Sequence, residues 1–206
     1  MHAPYYIVMI EINELQLTFP TGLIFSNLSF TITAGTHTCI SGPSGSGKSS
    51  ILKILQGYLE PDSGTIRIDG LELNKKNIRE IRSRMAYVPQ NIHLPVSNGE
   101  ELIRMLACPI DRNATLSIVV KLGLADDMLE RAFDEMSGGQ KQRVVIAICL
   151  SLGRKIILLD EPTASLDDDA IGQLIDVIRQ LKEVTVISAS HNPEWKEAAD
   201  YNLSLK

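Results

Sequence analysis

Residues 42–49 read GPSGSGKS and match the phosphate-binding pattern G-x-x-x-x-G-K-[ST]. Glycines let consecutive backbone N–H groups face inward as an anion nest, and a following helix adds its positive end. Lys48 can reach the outer phosphates, and the Ser49 hydroxyl can ligate Mg²⁺. This segment, called the P-loop below, predicts a nucleotide site formed by Gly42, Pro43, Ser44, Gly45, Ser46, Gly47, Lys48, Ser49 and Ser50.

Two carboxylates follow an apolar strand pattern later in the chain. Residues 156–159 are Ile-Ile-Leu-Leu, and Asp160 and Glu161 come directly after them. Because open α/β sheets bind ligands at the carboxyl ends of their strands, we expect Asp160 to face Ser49 and to ligate Mg²⁺. Glu161 is then placed to hold and polarise an attacking water. Without the P-loop, these carboxylates could instead form a turn and a helix cap.

Strand and helix patterns position these residues as the chemistry requires. Residues 38–40 predict a strand that enters the P-loop, and residues 49–56 have the apolar spacing of a helix that leaves it. Strands without polar alternation are typical of a parallel sheet covered on both faces. The later patterns predict a helix over 140–152, a strand over 156–159, a helix over 168–182 and a strand over 184–188.

Other segments predict additional layers. Alternating apolar and polar residues over 10–19 and 24–32 predict antiparallel, half-solvated strands. From 91 to 135 only helical patterns occur, which makes this stretch a candidate helical subdomain. The individual elements predicted between 60 and 123 are strands over 65–68 and 85–88, a basic helix over 78–84, a helix over 100–107 and a helix capped by Asn113 that ends at Gly123.

Composition narrows the class of protein. The chain has 206 residues, of which 44% are hydrophobic, and its net charge of −5 argues against a nucleic-acid-binding role. The longest apolar run, 144–152, is about half of the roughly 20 residues that span a bilayer. The three cysteines form no CxxC pair, and the amino terminus lacks the cationic flank of a secretory signal. These features favour a cytoplasmic protein.

Four further motifs carry a family resemblance. Residues 136–140, MSGGQ, closely resemble the LSGGQ signature of ATP-binding cassette (ABC) ATPases, with Met136 in place of the usual Leu. Residues 87–90 (YVPQ) resemble the family's Q-loop, and residues 164–167 (ASLD) resemble its D-loop. Residues 188–191 (SASH) resemble its switch-histidine segment, although Asn192 stands where the family often has Asp. All of them stand in the family's order, and the resemblance covers nearly the whole chain.

The resemblance implies an α/β fold: a P-loop NTPase core with a mostly parallel sheet, an N-terminal antiparallel β subdomain and an inserted helical subdomain. In this sequence the antiparallel subdomain is expected at about 9–40 and the helical subdomain at about 91–140. The P-loop core is expected at about 41–90 and 141–206. The whole chain, 1–206, is then a single ABC ATPase domain.

The resemblance also implies a Mg²⁺-dependent ATPase that works as a dimer of cassettes. The signature segment of one cassette, here Ser137, Gly138, Gly139 and Gln140, closes over the ATP held by the P-loop of another, whether an identical or a different chain. Read locally, Ser-Gly-Gly before a helix is also an ordinary N-cap turn, and Asp167 is a sufficient N-cap for the helix that follows it.

Two more site residues follow from the resemblance. Gln90 is expected to contact Mg²⁺ and the attacking water, which makes Ser49, Gln90 and Asp160 the metal residues. His191 is expected to sense the γ-phosphate and to orient Glu161 and the water. The catalytic set is then Glu161, His191 and Gln90.

One aromatic residue is a candidate for stacking on adenine. Phe19 falls where the family places such a residue, in the segment Leu17-Thr-Phe-Pro-Thr-Gly22. A core phenylalanine of the β subdomain explains the same position, and Tyr5 or Tyr6 could stack instead.

These expectations define two functions. The first is the nucleotide-binding subunit of an ABC transporter, which hydrolyses ATP to drive a separate multi-pass membrane permease and sits peripherally on the cytoplasmic face of the cell membrane. The alternative is a soluble ABC ATPase, such as an iron–sulfur assembly ATPase, that is not coupled to transport. A third reading, a scaffold that binds ATP but scarcely hydrolyses it, is disfavoured because Glu161, Gln90 and His191 are all present.

Overall fold

The computed structural model describes residues 7–106 and 108–205. Within these residues no helix is both long and apolar enough to cross a membrane. A short 3₁₀ helix lies at Asp126–Leu129. In chain order the other elements are β1 (Val8–Phe19), β2 (Gly22–Thr33), β3 (His37–Ser41), α1 (Lys48–Leu55), β4 (Ser63–Ile68), β5 (Leu71–Glu72), α2 (Ile78–Ser83), β6 (Met85–Val88), α3 (Gly99–Met105), α4 (Arg112–Lys121), α5 (Gly138–Leu150), β7 (Ile156–Asp160), α6 (Asp168–Arg179), β8 (Thr185–Ala189), α7 (Pro193–Ala198) and β9 (Tyr201–Ser204).

A five-stranded parallel sheet in the order β6-β7-β8-β3-β9 forms the centre of the fold. Its inner strands β3, β7 and β8 are buried along their whole length, which explains the unbroken apolar run Ile156–Leu159 of β7. Because all the strands run in the same direction, the carboxyl ends of β3, β6, β7 and β8 meet at one edge of the sheet. The P-loop and the segments around Gln90, Glu161 and His191 all follow those ends.

A second sheet, antiparallel and in the order β2-β1-β4-β5, covers one side of the molecule. Its central strand β1 alternates buried and exposed residues, as its sequence pattern predicts. Ile10 and Ile12 of β1 pair with Ile68 and Ile66 of β4, so their side chains form one apolar face. This face packs with α1 and the parallel sheet into one core cluster.

A second core cluster lies on the opposite face of the parallel sheet. It joins α5 and α6 to the helical stretch of α3 and α4. Helix α6 contributes Ile171, Leu174 and Ile178 at helical spacing, and α5 contributes a run from Val144 to Ile148 that is buried throughout. The α/β fold with one antiparallel and one parallel sheet confirms the predicted class.

Several predicted boundaries are wrong for identifiable reasons. Strands β4 and β5 lie in the antiparallel sheet, although the subdomain division predicted them in the P-loop core at 41–90. Residues 37–40 lie in the parallel sheet, although they were predicted in the antiparallel subdomain at 9–40. Asp111 caps α4, not Asn113, because its carboxylate accepts hydrogen bonds from the backbone N–H groups of Asn113 and Ala114 at 2.8 and 3.2 Å. The division of the chain into subdomains otherwise stays a prediction.

A buried histidine makes stability depend on pH. His37 is 7% exposed, and burial lowers its pKa to about 4 from 6.5, an effect that Asp200 only partly offsets. Its Nε2 lies 2.9 Å from the Ser188 hydroxyl, which also accepts a bond from the Trp195 indole at 2.9 Å. The folded state therefore holds this imidazole neutral while the unfolded chain protonates it below pH 6.5.

We expect the contribution of His37 to the free energy of unfolding to be complete above pH 6.5 and to be lost as the pH falls towards 4. The free energy of unfolding, measured with denaturant, should fall between pH 7.5 and pH 4.5 in the wild-type chain. This fall should be about 2 to 3 kcal/mol larger in the wild-type chain than in His37→Phe. The exposed His93 serves as the control, because His93→Gln should keep the wild-type pH dependence. Equal losses in wild type and His37→Phe would contradict this account of the buried imidazole.

Candidate active site

The P-loop connects the end of β3 to the start of α1. Gly42, Gly45 and Gly47 all have positive φ angles, which L side chains rarely adopt. At Gly47, where φ is +91°, an added Cβ would lie 2.5 Å from Cγ2 of Ile24. The loop therefore needs glycine for its backbone conformation and, at Gly47, for its close packing on β2.

The loop fits an anionic phosphate chain. Helix α1 begins after Gly47 without a side-chain cap, so its first N–H groups are available to a ligand. The Ser46 hydroxyl is buried and has no hydrogen-bond partner within residues 7–106 and 108–205. The Lys48 ammonium donates to the carbonyl oxygens of Gly42 and Pro43, both at 3.0 Å, which places its charge over the mouth of the loop.

Asp160 lies at the end of β7, beside the P-loop. Its Oδ1 accepts a hydrogen bond from the Ser49 hydroxyl at 2.8 Å, and its Oδ2 accepts one from the Tyr87 hydroxyl at 3.2 Å. Burial raises the pKa of Asp160 above its usual value, and the bonds from Ser49 and Tyr87 oppose that shift. The carboxylate and hydroxyl oxygens are the hard donors that Mg²⁺ prefers, so the donor set fits this ion.

Tyr87 is a site residue that sequence reasoning missed, since the family motif drew attention only to Gln90. The contact depends on β6 and β7 being neighbours, which places Tyr87 directly beside Leu158. Burial and the charge of Asp160 raise the pKa of Tyr87, so its hydroxyl stays protonated and donates to that carboxylate. The only sequence signal for this contact was the alternating position of Tyr87 on a predicted strand, which could lie beside the strand that ends in Asp160.

Glu161 follows Asp160 in a left-handed backbone conformation, with φ of +47°. Its carboxylate side chain is 10% exposed, and its Oε2 lies 3.0 Å from Nδ1 of His191. The His191 side chain is 73% exposed, so the pair joins a buried carboxylate to an open surface. The structure thus brings the two residues together as predicted.

A cavity of about 680 Å³ opens at this edge of the sheet. It collects most of the predicted site residues: Phe19, Gly42, Pro43, Ser44, Gly45, Gly47, Lys48, Ser49, Ser50, Gln90, Glu161 and His191. Ser46 lies buried beneath the loop, and Asp160 reaches the cavity through its bond to Ser49. Tyr5 and Tyr6 lie outside the described residues.

The signature segment does not line this cavity. Ser137 caps α5 by accepting a hydrogen bond from the Gln140 backbone N–H at 3.2 Å, and the Gln140 side chain bonds back to the Ser137 N–H. This capping box starts α5 at Gly138, two residues before the predicted start at Gln140. The N-cap alternative is thus correct at Ser137, and also at Asp167, whose carboxylate accepts from the Ala170 N–H at 2.9 Å.

The family model and the curated relatives assign the chain to the same family. Residues 25–164 match the family model described as ABC transporter. The chain is 34% identical to the energy-coupling factor transporter ATP-binding protein EcfA1 of Ureaplasma parvum, over 86% of this chain and 64% of that protein. It is 32% identical to EcfA1 of Lactobacillus delbrueckii, over 96% and 75%, and 33% identical to the arginine transport ATP-binding protein ArtM of Bacillus subtilis, over 96% and 87%.

Solved structures agree with this result. The fold matches the ATP-binding cassette MJ0796, a dimer in a post-hydrolysis state bound to ADP and Pi, with a TM-score of 0.85, 25% identity, and coverage of 96% of this chain and 94% of that one. It also matches a bacterial Atm1-family ABC exporter with ATP bound, with a TM-score of 0.87, 25% identity, and coverage of 99% and 39%.

The fold and the cavity define an ATP-binding cassette with the residues of an ATPase. The chain belongs to the ABC transporter family. It is an ABC ATPase of the kind that binds ATP and ADP, and the relatives reported above are ATP-binding proteins of transporters. Cassettes of this kind pair as dimers, as MJ0796 does.

Phe19 lines the cavity and is half-buried, which suits a residue that contacts adenine. We expect Phe19→Ala to weaken ATP binding by about 0.5 to 1.5 kcal/mol, the strength of one stacking contact. Calorimetric titration with ATP measures this loss. Phe30→Ala, on neighbouring strand β2, is the matched control, because Phe30 packs on the same core but does not line the cavity. Unchanged ATP affinity with a lowered Tm in Phe19→Ala would mark Phe19 as a core residue.

Proposed function

We propose that this chain is the ATP-hydrolysing subunit of a transporter whose membrane-spanning path is formed by a separate multi-pass permease. It acts together with a second cassette, identical or homologous. The observation that supports ATP hydrolysis is the cavity at the carboxyl ends of β3, β6, β7 and β8, which is lined by the P-loop, Gln90, Glu161 and His191. The transporter role is supported by relatives that are named as ATP-binding proteins of transporters. Attachment to the permease would hold the chain on the cytoplasmic face of the membrane.

In the proposed mechanism the P-loop binds the phosphates of ATP. Backbone N–H groups at the start of α1, the Ser46 hydroxyl and Lys48 surround the phosphate oxygens, and Lys48 exchanges its bonds to Gly42 and Pro43 for bonds to those oxygens. Ser49, Asp160 and Gln90 would hold Mg²⁺, which neutralises phosphate charge when bound. Tyr87 fixes the orientation of Asp160.

Glu161 provides the base of the reaction. Its carboxylate accepts a hydrogen bond from the attacking water and takes up its proton as the water oxygen bonds to the γ-phosphorus. The bond from the γ-phosphorus to the bridging oxygen breaks at the same time, and ADP leaves with the electron pair of that bond. His191 holds that carboxylate through the contact at 3.0 Å and lines the same cavity as the P-loop, which would bind the phosphates. Because His191 is mostly exposed, a second cassette that covers the cavity would exclude water from it.

The second cassette supplies the signature segment in this proposal. Ser137, Gly138 and Gly139 lie at the start of α5, where free N–H groups and the positive end of the helix dipole can meet a γ-phosphate. They lie outside the chain's own cavity. A pocket completed in trans explains both facts and makes hydrolysis depend on pairing.

An affinity pull-down tests the transporter role directly. The tagged chain is purified from detergent-solubilised membranes of its own host, and the bound proteins are identified by mass spectrometry. The proposal expects a stoichiometric multi-pass membrane protein, which is retained by Glu161→Gln. Soluble partners alone, with the chain absent from the membrane fraction, would instead support the soluble ABC ATPase, which the transporter names of the relatives do not favour.

A further inference from the structure

Helix α5 carries a buried glutamine two residues beyond the signature segment. Gln142 is 3% exposed, and its amide Nε2 donates a hydrogen bond of 3.2 Å to the backbone carbonyl of Glu161. The amide oxygen Oε1 is buried and has no hydrogen-bond partner within the described residues. A buried unpaired acceptor costs stability, so the amide is explained by the one bond that its Nε2 makes.

The bond from Gln142 is accepted by Glu161, whose backbone has a left-handed conformation. Left-handed φ angles are uncommon for residues other than glycine, and they persist where neighbouring groups fix the backbone. At Glu161, φ is +47°; its N–H donates to the Ala189 carbonyl at 2.8 Å, and its carbonyl accepts from Gln142 and from the Ala164 N–H at 3.2 Å. Gln142 is the only side chain in the described part of the molecule that holds this peptide group.

A second contact joins the start of α5 to the segment after Glu161. An added Cβ at Gly139 would lie 2.4 Å from the Ser165 carbonyl oxygen, so the two backbones are in direct contact there. Helix α5 therefore meets the chain at Glu161 through Gln142 and at Ser165 through Gly139. Because a helix is stiff over one turn, a displacement at Ser137 is carried to both contacts.

We propose that Gln142 is a positioning residue that couples the signature segment of a chain to the catalytic glutamate of that same chain. This proposal rests on the proposed function, in which Ser137 contacts the ATP held by the other cassette. Occupation of one pocket then sets the position of α5, and Gln142 passes that position to Glu161 in the other pocket. The two pockets are thereby coupled through one amide.

Gln142→Met tests the hydrogen bond, since methionine is similar in length and lacks the donor. We expect kcat for ATP hydrolysis to fall at least about fivefold, because the Glu161 peptide loses one of its anchors, while the affinity for ATP stays within about twofold. Gln142→Asn, whose amide is one methylene shorter, should show the same loss and provides a second variant if the first does not fold.

The chain offers a matched control for this substitution. Gln56 is 4% exposed, and its Nε2 also donates to a backbone carbonyl, that of Leu52 at 2.8 Å, at the end of α1. Gln56→Met therefore removes the same kind of buried bond away from Glu161. It should lower the Tm and leave kcat within about twofold of wild type. An equal fall of kcat in both variants would overturn the positioning role.

A double-mutant cycle tests the coupling itself. Ser137→Ala removes the signature hydroxyl, and we expect the loss of kcat in the combined Ser137→Ala, Gln142→Met variant to be smaller than the product of the two single losses. Independent, multiplicative losses would contradict the coupling, and a kcat of Gln142→Met within twofold of wild type would contradict the positioning role. If the wild-type chain, with its copurified partners, hydrolyses no ATP, the proposed function fails instead.

Discussion

We expect Glu161→Gln to lower kcat for ATP hydrolysis at least a hundredfold and to leave ATP binding intact. A glutamine amide occupies the same volume but cannot accept the proton of the attacking water, and general base catalysis contributes on the order of 10² to 10⁴ in rate. The P-loop, which supplies the phosphate contacts, lies between β3 and the start of α1 and is untouched by the change. The measurement is a steady-state phosphate-release assay, together with calorimetric titration of ATP.

The trapped state gives this prediction a second readout. Without hydrolysis, ATP stays in the cavity and the cassette pair should accumulate. Glu60→Gln is the control, because Glu60 is exposed and lies outside the cavity. Turnover within about twofold of wild type in Glu161→Gln would remove Glu161 from the role of base.

Lys48→Ala should weaken ATP binding roughly 10- to 150-fold, the equivalent of about 1.5 to 3 kcal/mol for a hydrogen bond to a charged group. In the proposed mechanism its ammonium binds the phosphates, and within the described residues it donates to the carbonyls of Gly42 and Pro43. In Lys48→Ala the carbonyls of Gly42 and Pro43 can accept hydrogen bonds from water instead, so we expect the loop to stay folded. Calorimetry with ATP and, separately, with ADP measures the loss.

Lys121→Ala is the control for the loss of one positive charge. Lys121 lies on α4, donates a hydrogen bond to Gln180 and does not line the cavity. It should leave the affinity for ATP unchanged. An unaltered affinity in Lys48→Ala would contradict the assignment of the cavity as a phosphate site.

The local parts of the site could be predicted from the sequence. The P-loop depends on glycines, a lysine and a serine at fixed spacing, and each acts through its own backbone or side chain. Asp160 and Glu161 follow an unbroken apolar strand, and parallel strands bring their carboxyl ends to one edge. Placing Gln90 and His191 at the same edge required the family resemblance, since a lone loop amide and a lone histidine carry no such signal.

The parts that depend on pairing between distant segments could not be predicted. The bond from Tyr87 to Asp160 spans 73 positions, and the bond from Gln142 to Glu161 requires α5 to pack across the end of β7. The pairing of β4 with β1 placed residues 63–68 in the antiparallel sheet, although their short pattern fits either sheet. Helix α7 and strand β9 have only six and four residues, which is too short for a helical or strand pattern to identify them securely.

In the proposed dimer the cavity of one cassette is completed by the signature segment of the other. Gly138 allows a clean test, because a Cβ added there would meet Ser165 at an ordinary 3.7 Å and its φ is not in the glycine-favoured region. An aspartate at this first helical position suits the helix dipole, so the single chain should fold normally. Its charge would repel a phosphate held by the opposite P-loop.

The decisive measurement is kcat for ATP hydrolysis by Gly138→Asp, purified with the subunits that accompany it, beside Gly172→Asp on open helix surface as control. We expect Gly138→Asp to lose at least tenfold in kcat, with unchanged Tm and unchanged ATP binding by the isolated chain. Gly172→Asp should retain wild-type turnover. Wild-type turnover in Gly138→Asp would contradict the completion of the cavity in trans, because the signature segment would then contact no reacting phosphate.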